Sequence, residues 1–210
     1  MKSIENCVLY GIIDMMYIVP EQAVATTERL INGGVDILQL RAKEASHKAV
    51  IQLAEAILPV IRQTAVPLIL NDHPELLREV DADGCHVGQD DLSVAEARLA
   101  AARPCLVGRS THTIEQAEAA TSDGADYIGY GPIFSTKTKP SASPVGLALL
   151  AELHERVRIP IFCIGGIKST NLRSLLAAGS KRVCIVSDLL LATDIERHTA
   201  NIKKQLDSSV

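Results

Sequence analysis

Residues 68–91, LILNDHPELLREVDADGCHVGQDD, hold acids whose types and spacing can do metal chemistry. The segment reads as a buried apolar strand ending in Asn71 and Asp72, a short helix over 74–80, and a second strand ending near His86 that leads to Asp90 and Asp91. If the two strands are parallel neighbours, as a strand-helix-strand unit requires, Asp72 and Asp91 leave the sheet at the same end. Mg²⁺ takes one or two carboxylates and completes its shell with water and substrate phosphate oxygens, so two acids there point to a phosphorylated ligand. Taken alone, the pair is equally compatible with solvated loop acids, and spacing does not choose between Asp90 and Asp91.

Other strand ends carry matching groups. In QLRAK, Gln39, Arg41 and Lys43 alternate, so in an extended chain they share a face. Two cations and an amide suit a diphosphate, with Arg able to fork onto two oxygens. GRSTHT ends a fifth strand, where Ser110 can hydrogen-bond a ligand and His112 can act as a base or simply start a helix. The sixth leads into the longest irregular connection of the chain, where Ser135, Thr136, Lys137, Thr138 and Lys139 alternate hydroxyls and ammonium groups that can clamp phosphate oxygens. Such connections often act as lids. Gly165-Gly166 and Val186-Ser187 close the seventh and eighth strands, where backbone N–H groups with a helix N-terminus behind them commonly hold phosphate.

What must position these groups is a regular alternation. Short β-branched runs at 8–13, 35–40, 67–70, 85–87, 105–108, 127–130, 160–164 and 181–186 alternate with helical stretches at 20–32, 46–64, 74–80, 93–102, 113–123, 146–157, 170–178 and 194–206. Ser93 with Glu96 and Thr113 with Gln116 have capping-box spacing. A weak repeat of helix, glycine, polar residue and strand recurs at 32–40, 81–89, 122–131 and 177–187, the glycine placed to end each helix. Eight units of about 26 residues predict a single-domain TIM (β/α)₈ barrel spanning 1–210. The competing architecture is an open doubly wound sheet, whose dinucleotide-binding variant lacks a GxGxxG after the first strand.

Composition narrows the function classes. At 210 residues and 47% hydrophobic, the chain can bury a full core, and a net charge of −4 with scattered Lys and Arg offers neither a nucleic-acid stripe nor a polybasic membrane patch. Five cysteines without a CxxC pair read as buried strand thiols. Their odd number, with no secretory leader evident, predicts a reducing, cytoplasmic setting. No apolar run approaches the roughly 18 residues of a membrane span. Oligomeric state is not encoded in any readable pattern, and a homo-oligomer stays open.

Together, QLRAK, LNDHPEL, DGCHVGQDD, GRSTHT, ADYIGYGPIFSTKTK, IPIFCIGGI and VCIVS resemble the thiamine phosphate synthase family over residues 8–190. The resemblance implies coupling of a pyrimidine diphosphate to a thiazole phosphate with release of diphosphate. It implies that Gln39, Leu40, Arg41, Ala42, Lys43, Asn71, Ser110 and Lys139 hold the pyrimidine diphosphate, with Arg41, Lys43, Ser110 and Lys139 serving catalysis. It also implies that Asp72 and Asp91 bind one Mg²⁺, and that Thr136, Lys137, Thr138, Gly166, Val186 and Ser187 hold the thiazole phosphate. The chain departs from the family pattern at Ile13, Met15-Met16-Tyr17, Ser135 and Asp188, which bears on the pocket rim. GRSTHT is also similar to the related thiazole tautomerase, an alternative that would make His112 a proton carrier and need no metal. A non-catalytic barrel that binds thiamine precursors is a further alternative, one free to lose the two acids that are present here.

Overall fold

The computed structural model describes residues 2–136, 138 and 143–208. Strands β1 (Leu9–Asp14), β2 (Ile37–Arg41), β3 (Leu68–Asn71), β4 (Gly84–Val87), β5 (Leu106–Thr111), β6 (Tyr127–Tyr130), β7 (Ile161–Ile164) and β8 (Val183–Ile185) pair in parallel in chain order. β8 returns to β1, with Leu9 opposite Val183, and closes the barrel. Around it run α1 (Ala23–Asn32), α2 (His47–Ile61), α3 (Val94–Ala101), α4 (Ile114–Ser122), α5 (Leu150–Arg156), α6 (Leu172–Ala177), α7 (Ser187–Leu190) and α8 (Ile195–Asp207). The predicted TIM-barrel architecture is the observed one, and the open sheet is excluded by the β1–β8 ladder.

Strand alternation sorts side chains into two cores. Leu38, Leu40, Leu68, Leu70, Val107 and Ile128 face outward and pack with the apolar stripes of the helices. Tyr10, Ile12, Ile37, Ile69, Tyr127, Phe162 and Cys184 face inward and fill the barrel. Tyr10 and Tyr127 each meet Phe162 nearly edge-on, with centroids 5.3 and 5.6 Å apart, and their hydroxyls lie 3.0 Å from each other. Edge-on aromatic pairs each add about 0.5–1.5 kcal/mol beyond their buried area. These rings form an aromatic floor below the C-terminal rim.

Gly108 makes that floor possible. A Cβ there would lie 2.2 Å from Tyr127 Cζ and 2.5 Å from His86 Nδ1, so any side chain at this strand position would evict an interior ring. At the opposite end of the barrel, buried Asp36 accepts hydrogen bonds from the N–H groups of Val8 (2.9 Å) and Leu9 (3.0 Å), from Lys203 of α8 (2.8 Å) and from Lys2. Burial opposes its ionisation, but the Lys2, Lys203 and backbone donors outweigh that and hold the Asp36 carboxyl below its ordinary pKa.

Several boundaries differ from expectation for local reasons. The predicted helix over 74–80 is a five-residue 3₁₀ turn, Pro74–Arg78, begun by the fixed φ of Pro74 and too short for an i→i+4 ladder. β2 runs to Arg41 and β5 to Thr111, so Arg41 and Ser110 are strand residues and not loop residues. α5 starts at Leu150 and not near 146, because Val145 and Gly146 donate to the carbonyls of Pro132 and Ile133 (2.8 and 3.2 Å) and extend the β6 loop instead. The Ser93–Glu96 capping box forms in both directions, at 2.8 and 3.2 Å. The expected second box is half made: Thr113 accepts from the Gln116 N–H at 3.2 Å, while the Gln116 amide oxygen takes the N–H of His112. All five cysteines are free thiols, four of them buried, and Cys105 is only half-buried at the entry to β5. Among the described residues no helix is long and apolar enough to cross a membrane.

Candidate active site

Asp72 leaves β3 in a left-handed turn, φ +63°, fixed by its N–H donating to the His86 carbonyl of β4 at 2.9 Å. Asp91 is oriented in the loop after β4 by the Gly88 N–H, which donates to Oδ2 at 2.6 Å. The two carboxylates converge. Burial first, and the charge of Asp91 second, push the Asp72 carboxyl above its ordinary pKa, while Lys43 pulls it down from 3.2 Å. Asp91, not Asp90, is therefore the acid that shares a corner with Asp72. Two carboxylates that repel one another, partly screened by a single ammonium group, form a donor set that fits a hard divalent cation.

The three alternating residues of β2 share a face and rise in a staircase. Gln39 sits deepest, donating to Tyr10 Oη at 2.8 Å. Arg41 stands one step higher in a buried ion pair with Asp14 (2.7 Å), and Lys43 reaches Asp72 at the rim. Leu40 and Ala42, by contrast, turn outward into the helix-facing core, which leaves only their backbone for a ligand. Asn71, Ser110 and His86 complete the inner wall. Ser110 Oγ lies 2.9 Å from His86 Nε2, His86 Nδ1 lies 3.3 Å from Tyr127 Oη, and Gln89 donates to the Ser110 carbonyl at 2.6 Å. Burial pushes the phenols of Tyr10 and Tyr127 well up, so both stay neutral at the base of the cavity.

Across the same cavity, of about 120 Å³, stand Thr136, Thr138, Gly166, Val186 and Ser187. Gly166 has φ +62°, and a Cβ there would lie 2.4 Å from the Ser135 carbonyl, so only glycine lets the β7 loop pass beneath the β6 loop. Tyr17 fastens that loop by its hydroxyl, 2.7 Å from Thr138 Oγ1. Ser187 opens α7, a four-residue helix with too few turns to leave a periodic trace in the sequence. Lys137 and Lys139 lie outside the described residues. His112 also borders the cavity, but its Nδ1 is committed to the Gly131 carbonyl, so Nδ1 carries the hydrogen.

Asp14, His86, Tyr17 and the two phenols were missed as site residues. His86 was readable in principle: Cys85 and Val87 on either side of it are the outward-facing positions of the same strand. Asp14 was not, because its pairing with Arg41 depends on interstrand register.

Comparison with known proteins agrees with this geometry. Residues 9–189 match the family described as thiamine monophosphate synthase. The thiamine-phosphate synthase of Halalkalibacterium halodurans is 43% identical over 173 residues, covering 82% of each chain. That of Thermus thermophilus is 41% identical over 187 residues, covering 89% of this chain and 90% of the relative. The solved thiamine phosphate pyrophosphorylase from Pyrococcus furiosus superposes with a TM-score of 0.88 at 28% identity, over 97% of both chains. 3-Hexulose-6-phosphate synthase from Salmonella typhimurium, at 16% identity and TM-score 0.70, shares the fold alone. On the strength of a match spanning most of its length and of relatives above 40% identity, the chain belongs to the thiamine monophosphate synthase family.

Proposed function

We propose that this chain joins 4-amino-2-methyl-5-(diphosphooxymethyl)pyrimidine to 4-methyl-5-(2-phosphoethyl)thiazole, giving thiamine phosphate and diphosphate, or to its carboxylated form, which in addition loses CO₂ and takes up a proton at the ring carbon that bore it. The observation that carries the reading is that one barrel rim gathers Arg41, Lys43 and the Asp72–Asp91 corner together with the Gly166 and Ser187 backbone and the Thr136 and Thr138 hydroxyls, two groups of a kind that suits two phosphorylated substrates. Asp72 and Asp91 would hold one Mg²⁺, which when bound neutralises charge on the leaving diphosphate. Arg41 and Lys43, joined by Lys139 on the family resemblance, bind the same anion.

The chemistry needs no side-chain nucleophile. The C–O bond to diphosphate breaks with its electron pair leaving on oxygen, because the electron-rich aminopyrimidine stabilises the methylene cation. The thiazole nitrogen lone pair then forms the C–N bond, so with the decarboxylated thiazole no proton is transferred. Lys43 and Arg41 stabilise the departing charge as it develops. Gln39 and Asn71 orient the ring, and Ser110, held by His86, hydrogen-bonds near the leaving group. The aromatic floor excludes water so that the held thiazole captures the cation. Lys43 is paired with Asp72 at 3.2 Å, so if Asp72 held the cation, the Lys43 ammonium would be free to turn to the diphosphate. Two soluble phosphorylated substrates suit a cytoplasmic setting for a single barrel domain.

A diphosphate-release assay with both substrates, with and without Mg²⁺, tests the assignment. Mg²⁺-dependent release that requires the thiazole phosphate is expected; release that ignores the second substrate, or none, overturns it. An electron-withdrawing substituent on the pyrimidine should slow the single-turnover step, and an unchanged rate would contradict bond breaking before attack.

A further inference from the structure

We propose that His47, His73 and Glu75 form a second metal site, selective for one transition-metal ion of the zinc class and separate from the Asp72–Asp91 corner. The proposal does not depend on the synthase reading. Two elements bring the ligands together. Ser46 caps α2 by accepting from the Ala49 N–H at 3.3 Å, and this places His47 in the first turn. His73 and Glu75 flank Pro74, whose ring stiffens the start of the 3₁₀ turn.

The geometry is that of a tetrahedral face with one corner slightly open. Glu75 Oε1 lies 3.2 Å from His73 Nδ1 and 3.6 Å from His47 Nε2, and all three donor atoms lie within 4.8 Å of one another. Zinc with ligands at about 2.0–2.2 Å in a tetrahedron needs donor separations near 3.4 Å. Two of the three edges already meet that value. The imidazole rings meet edge-on, with centroids 4.8 Å apart and planes at 71°, so they approach Glu75 from different directions and do not stack. His47 and Glu75 are well exposed at 62% and 40%, which gives an ion a route in and leaves a fourth position for water.

Ligand chemistry separates the two sites. Two imidazole nitrogens favour Zn²⁺, Ni²⁺ or Cu²⁺ over Mg²⁺, whereas the Asp72–Asp91 corner offers only hard oxygens. His73 follows Asp72 directly, so an ion on His73 also restrains the turn that carries Asp72.

The test uses the full chain with Mg²⁺ in excess to saturate the oxygen site, and Zn²⁺ alone titrated against a chromophoric chelator. One tight equivalent is expected. His47→Ala and His73→Ala should each weaken it by more than about 100-fold, since even outer-shell changes at metal sites cost about 10–100-fold. His47 is exposed, so its substitution leaves the fold intact and the comparison interpretable. Co²⁺ substituted for Zn²⁺ should give ligand-field bands without thiolate charge transfer. Zinc affinity unchanged in both variants would overturn the proposal, and so would a thiolate band, which would assign the ion to a cysteine.

Discussion

The pairing of Arg41 with Asp14 makes a sharp prediction, because it joins a proposed diphosphate ligand to a buried acid on the neighbouring strand. The Arg41 Nη1 to Asp14 Oδ2 distance is 2.7 Å, with side-chain exposures of 11% and 2%. At an effective dielectric of about 20, two unit charges at that separation attract by about 6 kcal/mol. Desolvation offsets much of this, and removing one partner of such a buried pair costs about 3–5 kcal/mol. Asp14→Ala also deletes the acceptor for the Met16 N–H (3.0 Å), which sets the turn after β1. For a chain of this size, about 2–4 °C per kcal/mol predicts a thermal midpoint lowered by roughly 6–20 °C, read by circular dichroism. In the double variant Asp14→Leu/Arg41→Met, no buried charge is left unpaired and most of that stability should return. Activity should not return with it. Losing one charge-assisted contact of about 1.5–3 kcal/mol lowers kcat/KM by about 10–150-fold. A midpoint shift below about 2 °C in Asp14→Ala would refute the energetic argument, and wild-type kcat/KM in the double variant would refute any substrate role for Arg41.

Gly108→Ala forces a Cβ to within 2.2 Å of Tyr127 and should cost at least about 1–3 kcal/mol in urea denaturation while displacing His86 from Ser110; wild-type stability would mean the interior rings yield freely. Asp36→Ala should cost about 3–5 kcal/mol at neutral pH by removing the carboxylate shared by Lys2, Lys203 and two buried N–H groups, with Lys203 keeping only Asp207. Because the folded Asp36 pKa is depressed, its contribution is complete above the unfolded value of about 3.9 and is lost as pH falls through the folded one, so the gap between variant and wild type should narrow only below about pH 4. His112→Ala removes a hydrogen bond to Gly131 and should lower synthase kcat/KM less than about tenfold; a loss beyond about 100-fold, the scale of general acid-base catalysis, would give His112 a proton-transfer role. Lys43→Met removes the ammonium that Asp72 holds, and calorimetric titration of the pyrimidine diphosphate with and without Mg²⁺ should show weaker coupling between the two ligands; coupling equal to wild type would detach Lys43 from the diphosphate.

What was legible in the sequence and what was not follows from how a barrel converts chain into space. Alternation along a strand becomes radial position, inward or outward, and it is written locally. Gln39, Arg41 and Lys43 could be put on one face for that reason, and the same argument turns the Leu40 and Ala42 side chains to the helix-facing core, so that any part they take in binding falls to their backbone. The choice of Asp91 over Asp90 is also local, since the Gly88 N–H captures a carboxylate three residues on, but that turn is recognisable only once the strand is known to end at Val87. The short elements failed for a different reason. Neither Pro74–Arg78 nor α7 completes enough turns for periodicity to exist. Position around the circumference is set by register between strands distant in sequence, so Asp14 opposite Arg41, Gly108 beneath Tyr127 and Tyr17 against Thr138 have no local signature. Those unreadable pairings are the ones that fix the charge state and aim of the readable residues: Arg41 reaches the cavity already neutralised by Asp14, and Lys43 already neutralised by Asp72. A reading confined to residue types therefore finds the cations of this rim but overstates their free charge, because only the closed barrel shows that each already faces a built-in acid.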